Sequence, residues 1–317
     1  MLQQTRVDTV IPYYERFLKA LPTVAALAET REEDVLALWS GLGYYRRARM
    51  LHAAAREVVA AHGGAIPSNP ADLRRLAGVG AYTAGAVASI AFGRREPVVD
   101  GNVERVISRL CAIEDDVRRK VGKTHIWSVA RDLLADERSD PGDWNQALME
   151  LGATICLPRS PGCGVCPVAG ACRARARGIA ERLPTTGPKP RLSAVKLTSI
   201  VLASPTRVLL ARRRKDLLFG GLWEPPCAET LDVLAGRLRV DPSNLREAGR
   251  IVHILSHRKL EVRVVLGRLS RRTRFALPSP EYDAVDVVPM ARLDTLAHAT
   301  LTRKILAVAN AGLGGLR

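Results

Sequence analysis

Four cysteines stand close together, with the spacing Cys156-x6-Cys163-x2-Cys166-x5-Cys172. Thiolates are soft, anionic ligands, and four on one short loop can surround a single compact centre. The x2 pair suits two ligands on one tight turn, and Gly162, Gly164 and Pro167 let the backbone fold around it. Zinc accepts four thiolates as readily as an iron–sulfur cluster does, so ligand type does not choose between them. Met1-Leu2-Gln3-Gln4-Thr5-Arg6 lacks the apolar stretch of a signal peptide, which argues against a secreted disulfide framework. Cys111 and Cys227 stand apart and read as small buried apolar residues.

A second residue able to do chemistry is Asp100, in Val98-Val99-Asp100-Gly101-Asn102-Val103-Glu104-Arg105-Val106. It stands where a helical pattern begins, and an aspartate there caps the helix by accepting backbone N–H groups. The same carboxylate, kept ionised by the helix dipole, can stabilise a sugar centre that becomes cationic. Leu76-Ala77-Gly78-Val79-Gly80-Ala81-Tyr82-Thr83-Ala84 lies between two helical patterns. Gly78 and Gly80 are expected to use positive φ and to let the backbone approach a ligand closely. A helix starting near Ala81 would offer free N–H groups to a phosphate, although such a turn also serves simply to join helices.

These residues need a scaffold. The chain has 317 residues, 47% of them hydrophobic, enough for two ordinary domains and too apolar for a disordered chain. No apolar run reaches the roughly 18–20 residues that span a bilayer, so a cytoplasmic protein without membrane contact is expected. Lys plus Arg is 48 against 32 for Asp plus Glu, a net +16 that suits a polyanion such as nucleic acid. An arginine-rich codon bias would give the same surplus.

Helical periodicity runs through Val10–Leu21, Glu33–Trp39, Ala48–Ala61, Ala84–Phe92, Val103–Cys111, Ile126–Leu134 and Trp144–Ile155. Three prolines between Pro184 and Pro190 then predict a stiff linker over 183–194. Beyond it the pattern changes to strands at Val195–Ala203, Arg207–Ala211, Arg250–Leu255 and Lys259–Leu269, with helices at Glu229–Leu238 and Leu301–Ala311. The expected organisation is a mainly α domain over 1–182, the linker, and an α+β domain over 195–317.

The cysteine spacing after a helical domain resembles the [4Fe–4S] loop of the endonuclease III superfamily of DNA glycosylases. The L-x-G-V-G turn resembles that superfamily's helix-hairpin-helix, and V-D-x-N-V-x-R-V the segment with its catalytic aspartate. Met1-Leu2-Gln3-Gln4-Thr5, Leu38-Trp39-Ser40-Gly41-Leu42-Gly43-Tyr44-Tyr45 and Asn145-Gln146-Ala147-Leu148-Met149 are similar to the MutY family of adenine DNA glycosylases. The resemblance implies base excision repair: hydrolysis of the N-glycosidic bond of adenine opposite 8-oxoguanine or guanine in double-stranded DNA, by a monomer. It assigns Asp100 to the sugar cation, with Tyr82 and Asn102 as supports around sugar and water. It places Gln3, Gln4 and Tyr44 against the duplex beside the lesion, with Gly78 and Gly80 at the phosphate backbone. It assigns Cys156, Cys163, Cys166 and Cys172 to the cluster. Bifunctional members carry a lysine where Tyr82 stands, and a phenol forms no imine, so a monofunctional enzyme is implied.

The second domain resembles the family's Nudix-like domain. Val252-His253-Ile254-Leu255-Ser256-His257 is similar to its F-S-H loop, with Leu255 in place of the aromatic. Ser256 and His257 would then read the oxidised edge of 8-oxoguanine. Gly221-Leu222-Trp223-Glu224-Pro225-Pro226 begins like a Nudix signature, but Glu229 and Asp232 are too few carboxylates for a metal hydrolase.

One departure stands out. The family's catalytic glutamate lies two residues before M-L-Q-Q-T, and this sequence starts at Met1, so the chain as written is expected to excise adenine poorly. Competing readings are a thymine or uracil mismatch glycosylase, a non-catalytic iron–sulfur DNA-binding protein, and a Nudix hydrolase with a helical appendage.

Overall fold

The computed structural model describes residues 1–3, 5–136, 138–187, 192–270 and 279–313. Before the linker the chain is helical: α1 (Val7–Ala20), α2 (Val24–Glu29), α3 (Glu32–Leu38), α4 (Arg46–His62), α5 (Pro70–Leu73) and α6 (Ala81–Ala86). Then come α7 (Gly101–Leu110), α8 (Lys120–Asp136), α9 (Pro141–Thr154) and α10 (Arg173–Ala176). Helix α6 starts at the expected Ala81, but the helix expected over Ala84–Phe92 continues as a π-helical turn, Val87–Ala91. Within it Ser89 Oγ donates back to the Gly85 carbonyl at 2.8 Å.

The later part is a mixed sheet with helices: β1 (Ser193–Ala203), β2 (Arg207–Arg213), β3 (Trp223–Glu224), β4 (Cys227–Ala228), α11 (Leu231–Leu238), β5 (Arg246–Ile254), β6 (Arg258–Arg268), β7 (Tyr282–Pro289) and α12 (Thr300–Leu313). The order is β3-β2-β1-β6-β5, with β4 added to β1 and β7 to β2. Strands β1 and β6 run parallel from Ser193 opposite Arg258 to Ala203 opposite Arg268. Alternate side chains therefore serve opposite faces. Ile200, Leu202, Leu209 and Val265 pack with Leu234, Ala235 and Leu238 of α11. Val201, Ala203, Val264 and Leu266 share a cluster with Leu301, Ile305 and Ala309 of α12. Both faces are thus covered, as a sheet with a parallel core pair requires.

The chain packs into two compact units that do not follow its order: Met1–Arg56 with Pro190–Arg317, and Glu57–Lys189. In the terminal unit, Leu27, Val35, Leu36 and Trp39 join the cluster that contains α12. Trp39, 1% exposed, meets Phe17 edge-on at 6.0 Å between ring centres. The inner unit has its own core of Val103, Val106 and Ile107 from α7, Ile126 and Ala130 from α8, and Leu148 from α9. Burial of each valine, leucine or isoleucine side chain here contributes about 1.5–3 kcal/mol. The first residues of the expected linker belong to this unit. Leu183 is buried, its carbonyl accepts from Arg109 Nε at 3.0 Å, and the Thr185 carbonyl accepts from Val117 N at 3.2 Å.

No helix among the described residues is long and apolar enough to cross a membrane.

Candidate active site

Asp100 is the N-cap of α7. Its Oδ1 accepts from Asn102 N at 2.9 Å and Val103 N at 2.8 Å. Asn102 Nδ2 donates to the other oxygen, Oδ2, at 3.2 Å. The capping role read from the sequence is therefore present, on the carboxylate to which the resemblance also assigns the sugar cation. The half-buried Tyr82, on α6, lies near enough for that charge to act on it. Burial raises the Tyr82 phenol above its usual 10.0, and Asp100 raises it further. It stays protonated at neutral pH and so keeps an O–H able to donate.

Asn102 is fixed from behind. Its Oδ1 accepts from Arg105 Nη2 at 2.9 Å, which also settles which way the amide points. Arg105 is 9% exposed, and its remaining donors reach Cys156 O at 2.7 Å, Gly152 O at 2.8 Å and Gly101 O at 3.3 Å. At Gly152, a Cβ would stand 2.6 Å from the Asn102 Cβ, so only glycine lets α9 come this close to α7. Asn145, 1% exposed, holds the strand of chain leading to Asp100: it accepts from Val98 N at 3.1 Å and donates to Glu96 O at 2.9 Å. Its amide also donates to Ser89 Oγ at 3.0 Å.

The sequence reading missed Arg105, Arg109 and Asn145 as parts of the site. Arg105 follows Asn102 by three residues, the spacing of neighbours on one helix face. That signal was present but was absorbed into the general surplus of arginine.

The four loop cysteines border one cavity, together with Val106 and Leu110. All are free thiols in the described structure. Among the described residues, no group of three ligand-type side chains converges closely enough for a single metal ion. Arg109, 2% exposed, closes one side: Nη1 lies 3.3 Å from Cys156 Sγ and donates to Leu157 O at 2.7 Å. Arg177, one of the basic residues after the loop, is paired with Glu114 at 2.8 Å.

In the hairpin, Gly78 has φ +72°, as expected, but Gly80 does not use the left-handed region. Its φ is −89° and ψ −178°, the extended conformation of an N-cap, and a Cβ there would meet nothing within 4 Å. The hairpin is tied to α4 by Glu57, whose Oε2 accepts from Ala77 N at 2.8 Å.

The terminal unit gathers the other candidates. Tyr44 is 48% exposed and sits at φ +49°, an uncommon conformation for a tyrosine. Its hydroxyl lies 3.2 Å from Ser256 Oγ. Ser256 and His257 are exposed at the tip between β5 and β6, where Leu255 N donates to Arg258 O at 2.8 Å. Leu255 is half-buried and packs against the core. Gln3 is exposed, and Gln4 lies outside the described residues.

Glu224, at the start of the Nudix-like signature, is 2% exposed and already committed. It pairs with Arg213 Nε at 2.6 Å and accepts from Tyr282 Oη at 2.8 Å.

Comparison with known proteins fits this geometry. Residues 1–150 match the HhH-GPD superfamily of base excision DNA repair proteins, and residues 198–308 match the NUDIX domain. The Homo sapiens adenine DNA glycosylase is 38% identical over 324 residues, covering 83% of this chain and 59% of that protein. The Arabidopsis thaliana adenine DNA glycosylase is 32% identical over 370 residues, covering 96% of this chain and 57% of that protein. The chain belongs to the adenine DNA glycosylase family.

Like other pairings with this family, the human match leaves part of the relative uncovered: the chain spans 59% of the human and 62% of the rat protein. The Buchnera aphidicola (Acyrthosiphon pisum) adenine DNA glycosylase is 28% identical, and the match covers 79% of it. Among solved structures, a thermostable thymine-DNA glycosylase is similar, with a TM-score of 0.50 and 29% identity, over 56% of this chain and 80% of that one. The chain thus carries a helical HhH-GPD domain followed by a Nudix-like domain.

Proposed function

We propose that this chain is a monofunctional adenine DNA glycosylase of base excision repair, hydrolysing the N-glycosidic bond of adenine opposite 8-oxoguanine or guanine. The observation that carries this reading is the Asp100 carboxylate, oriented by two backbone N–H groups and by Asn102 beside the protonated Tyr82 phenol. An extruded adenosine would present its anomeric carbon to Asp100, whose charge stabilises the oxocarbenium-like transition state. Tyr82 and Asn102 would orient the sugar and the water. No lysine stands at position 82, so strand cleavage would need alkali.

Cys156, Cys163, Cys166 and Cys172 would hold a [4Fe–4S] cluster, and the shared apolar cavity supports that choice. When bound, the cluster supplies a cross-link that fixes the loop. Gly78 and Gly80 would face the phosphate backbone, and Gln3, Gln4 and Tyr44 the duplex beside the lesion. Ser256 and His257 would read the 8-oxoguanine edge. We assign the glycosylase domain to 1–182, the linker to 183–194 and the recognition domain to 195–317. A cytoplasmic monomer acting on mispaired duplex DNA completes the reading.

The test is single-turnover excision on duplexes with adenine, thymine or uracil opposite 8-oxoguanine and guanine, analysed with and without alkali. The chain is assayed as it stands and with a glutamate-bearing family segment added upstream. Release of adenine alone, with strand breaks only after alkali, supports the proposal. Release of thymine or uracil in preference would favour the mismatch reading that the thymine-DNA glycosylase likeness allows. Iron and sulfide analysis of the purified protein checks the cluster, with zinc as the opposing result.

A further inference from the structure

Arg47, on the first turn of α4, is half-buried and gathers an unusual set of partners. Nη1 donates to the Met1 carbonyl at 2.6 Å and to the Gln3 carbonyl. Nη2 donates to Thr5 Oγ1 at 3.1 Å and to the Gly43 carbonyl at 3.4 Å. The guanidinium also lies over two rings, 5.3 Å from the centre of Tyr44 and 5.5 Å from that of Trp39. Trp39 is buried, and its Nε1 donates to the same Gly43 carbonyl at 3.1 Å. The planar fork of arginine suits this double task, since one edge serves carbonyls while the face stacks.

Of the two segments so joined, one lies 42 to 46 residues away in sequence and the other adjoins Arg47. One is the turn Met1–Thr5. The other is the loop that holds Tyr44 at φ +49°, a conformation that persists only where neighbours enforce it. The Arg47 backbone contributes too, donating to the Tyr44 carbonyl at 2.8 Å.

We propose that Arg47 is the positioning residue for duplex reading: it clamps the Met1–Thr5 turn to the Tyr44 loop and presents both as one rigid edge. It acts through Tyr44 and the glutamine turn, with its own charge spent on protein carbonyls and rings. The proposal rests on the assignment of that turn and of Tyr44 to the duplex beside the lesion.

The experiment compares wild type with Arg47→Lys, Arg47→Ala, Tyr44→Ala and Arg47→Lys combined with Tyr44→Ala. Binding is measured to a duplex with 2′-fluoro-adenosine opposite 8-oxoguanine, which resists cleavage, and to an undamaged duplex. A 2-aminopurine beside the 8-oxoguanine reports unstacking. Hydrogen exchange on the DNA-free proteins reports the clamp independently of any substrate.

Arg47→Lys keeps the charge but loses the fork. It is expected to lower the preference for damaged duplex about tenfold and to remove the 2-aminopurine signal. Undamaged binding and melting temperature stay near wild type, exchange rises at the Met1–Thr5 turn and around Tyr44, and the change adds nothing in the Tyr44→Ala background. Wild-type preference in Arg47→Lys overturns the inference. So does an equal loss with or without Tyr44, which would mark a direct phosphate contact, and so does a defect confined to the melting temperature of Arg47→Ala. If wild type itself shows no preference, the assignment to 8-oxoguanine duplexes fails and takes the inference with it. Faster exchange in Arg47→Lys would then still show the clamp.

Discussion

Arg105 donates through Nε to the main-chain carbonyl of Cys156 at 2.7 Å. The same guanidinium holds Asn102, and Asn102 holds Asp100, so the first loop cysteine and the candidate catalytic carboxylate are three hydrogen bonds apart. Replacing Arg105 with alanine strands buried carbonyls at Gly152 and Cys156. The expected cost is about 2–4 kcal/mol of stability, seen as a lower melting temperature. Arg105→Lys, which can serve only part of the set, should fall between alanine and wild type in both stability and excision.

Asp100 separates its two roles cleanly on mutation. Asparagine is as good an N-cap as aspartate but carries no charge. Asp100→Asn should melt close to wild type and lose most excision in a single-turnover assay. Asp100→Ala should lose the same activity and also about 1 kcal/mol of stability. If Asp100→Asn excised adenine normally, the carboxylate would be only a cap.

Two glycines give opposite signatures. Gly152→Ala sets a methyl 2.6 Å from Asn102 Cβ and 3.0 Å from its carbonyl oxygen, so α9 must shift. We expect a loss of about 1–3 kcal/mol on thermal unfolding, with excision falling as Asn102 moves. Gly80→Ala meets nothing within 4 Å and keeps an allowed backbone conformation. It should leave the melting temperature unchanged, and weaken duplex binding in a titration if a phosphate approaches those N–H groups.

Acid should loosen the terminal unit. The His298 carbonyl accepts from Tyr45 Oη at 2.5 Å and Ser40 Oγ at 2.9 Å, joining the Tyr44 loop to the segment before α12. Its ring sits between the Leu296 carbonyl, 2.7 Å from Nδ1, and Arg303 Nε, 2.8 Å from Nε2. Burial pushes the imidazole below its usual 6.5, and Arg303 adds to this against the Leu296 carbonyl and Asp294. The unfolded chain then takes up the proton more readily than the folded one. The stability is full above about pH 6.5 and is lost as pH falls through the lower folded value. Denaturation from pH 8 to 5 should show a slope that shrinks in His298→Asn. His253, also lowered by burial, needs the matching His253→Asn control.

Much of this was legible in the sequence because the signals are local. A cap is one residue beside a helix start, so Asp100 and the Ala81 start of α6 could both be placed. Cysteine spacing and the prolines are likewise read along the chain. What escaped depends on distant partners. Strands β3 and β4 are two residues each and exist only by pairing with β2 and β1. Strand β7, Tyr282–Pro289, alternates too weakly to stand out, yet it pairs along β2. Arg47, Arg105 and Arg109 raised the basic surplus that suggested a polyanion, but their guanidinium groups are occupied with protein carbonyls. The attachment of Met1–Arg56 to the end of the chain has no local signature at all.

That attachment sets an order of events during synthesis. Val35, Leu36 and Trp39 leave the ribosome early, but the sheet and α12 that complete their cluster are made last. At bacterial or eukaryotic elongation rates, the inner unit is finished on the order of ten seconds before its flanks can close. For that interval the nascent chain carries apolar helices without their partner, which makes it a client for chaperones. A chain cut short before α12 would keep Val35, Leu36 and Trp39 but lose Leu301, Ile305 and Ala309 from their cluster.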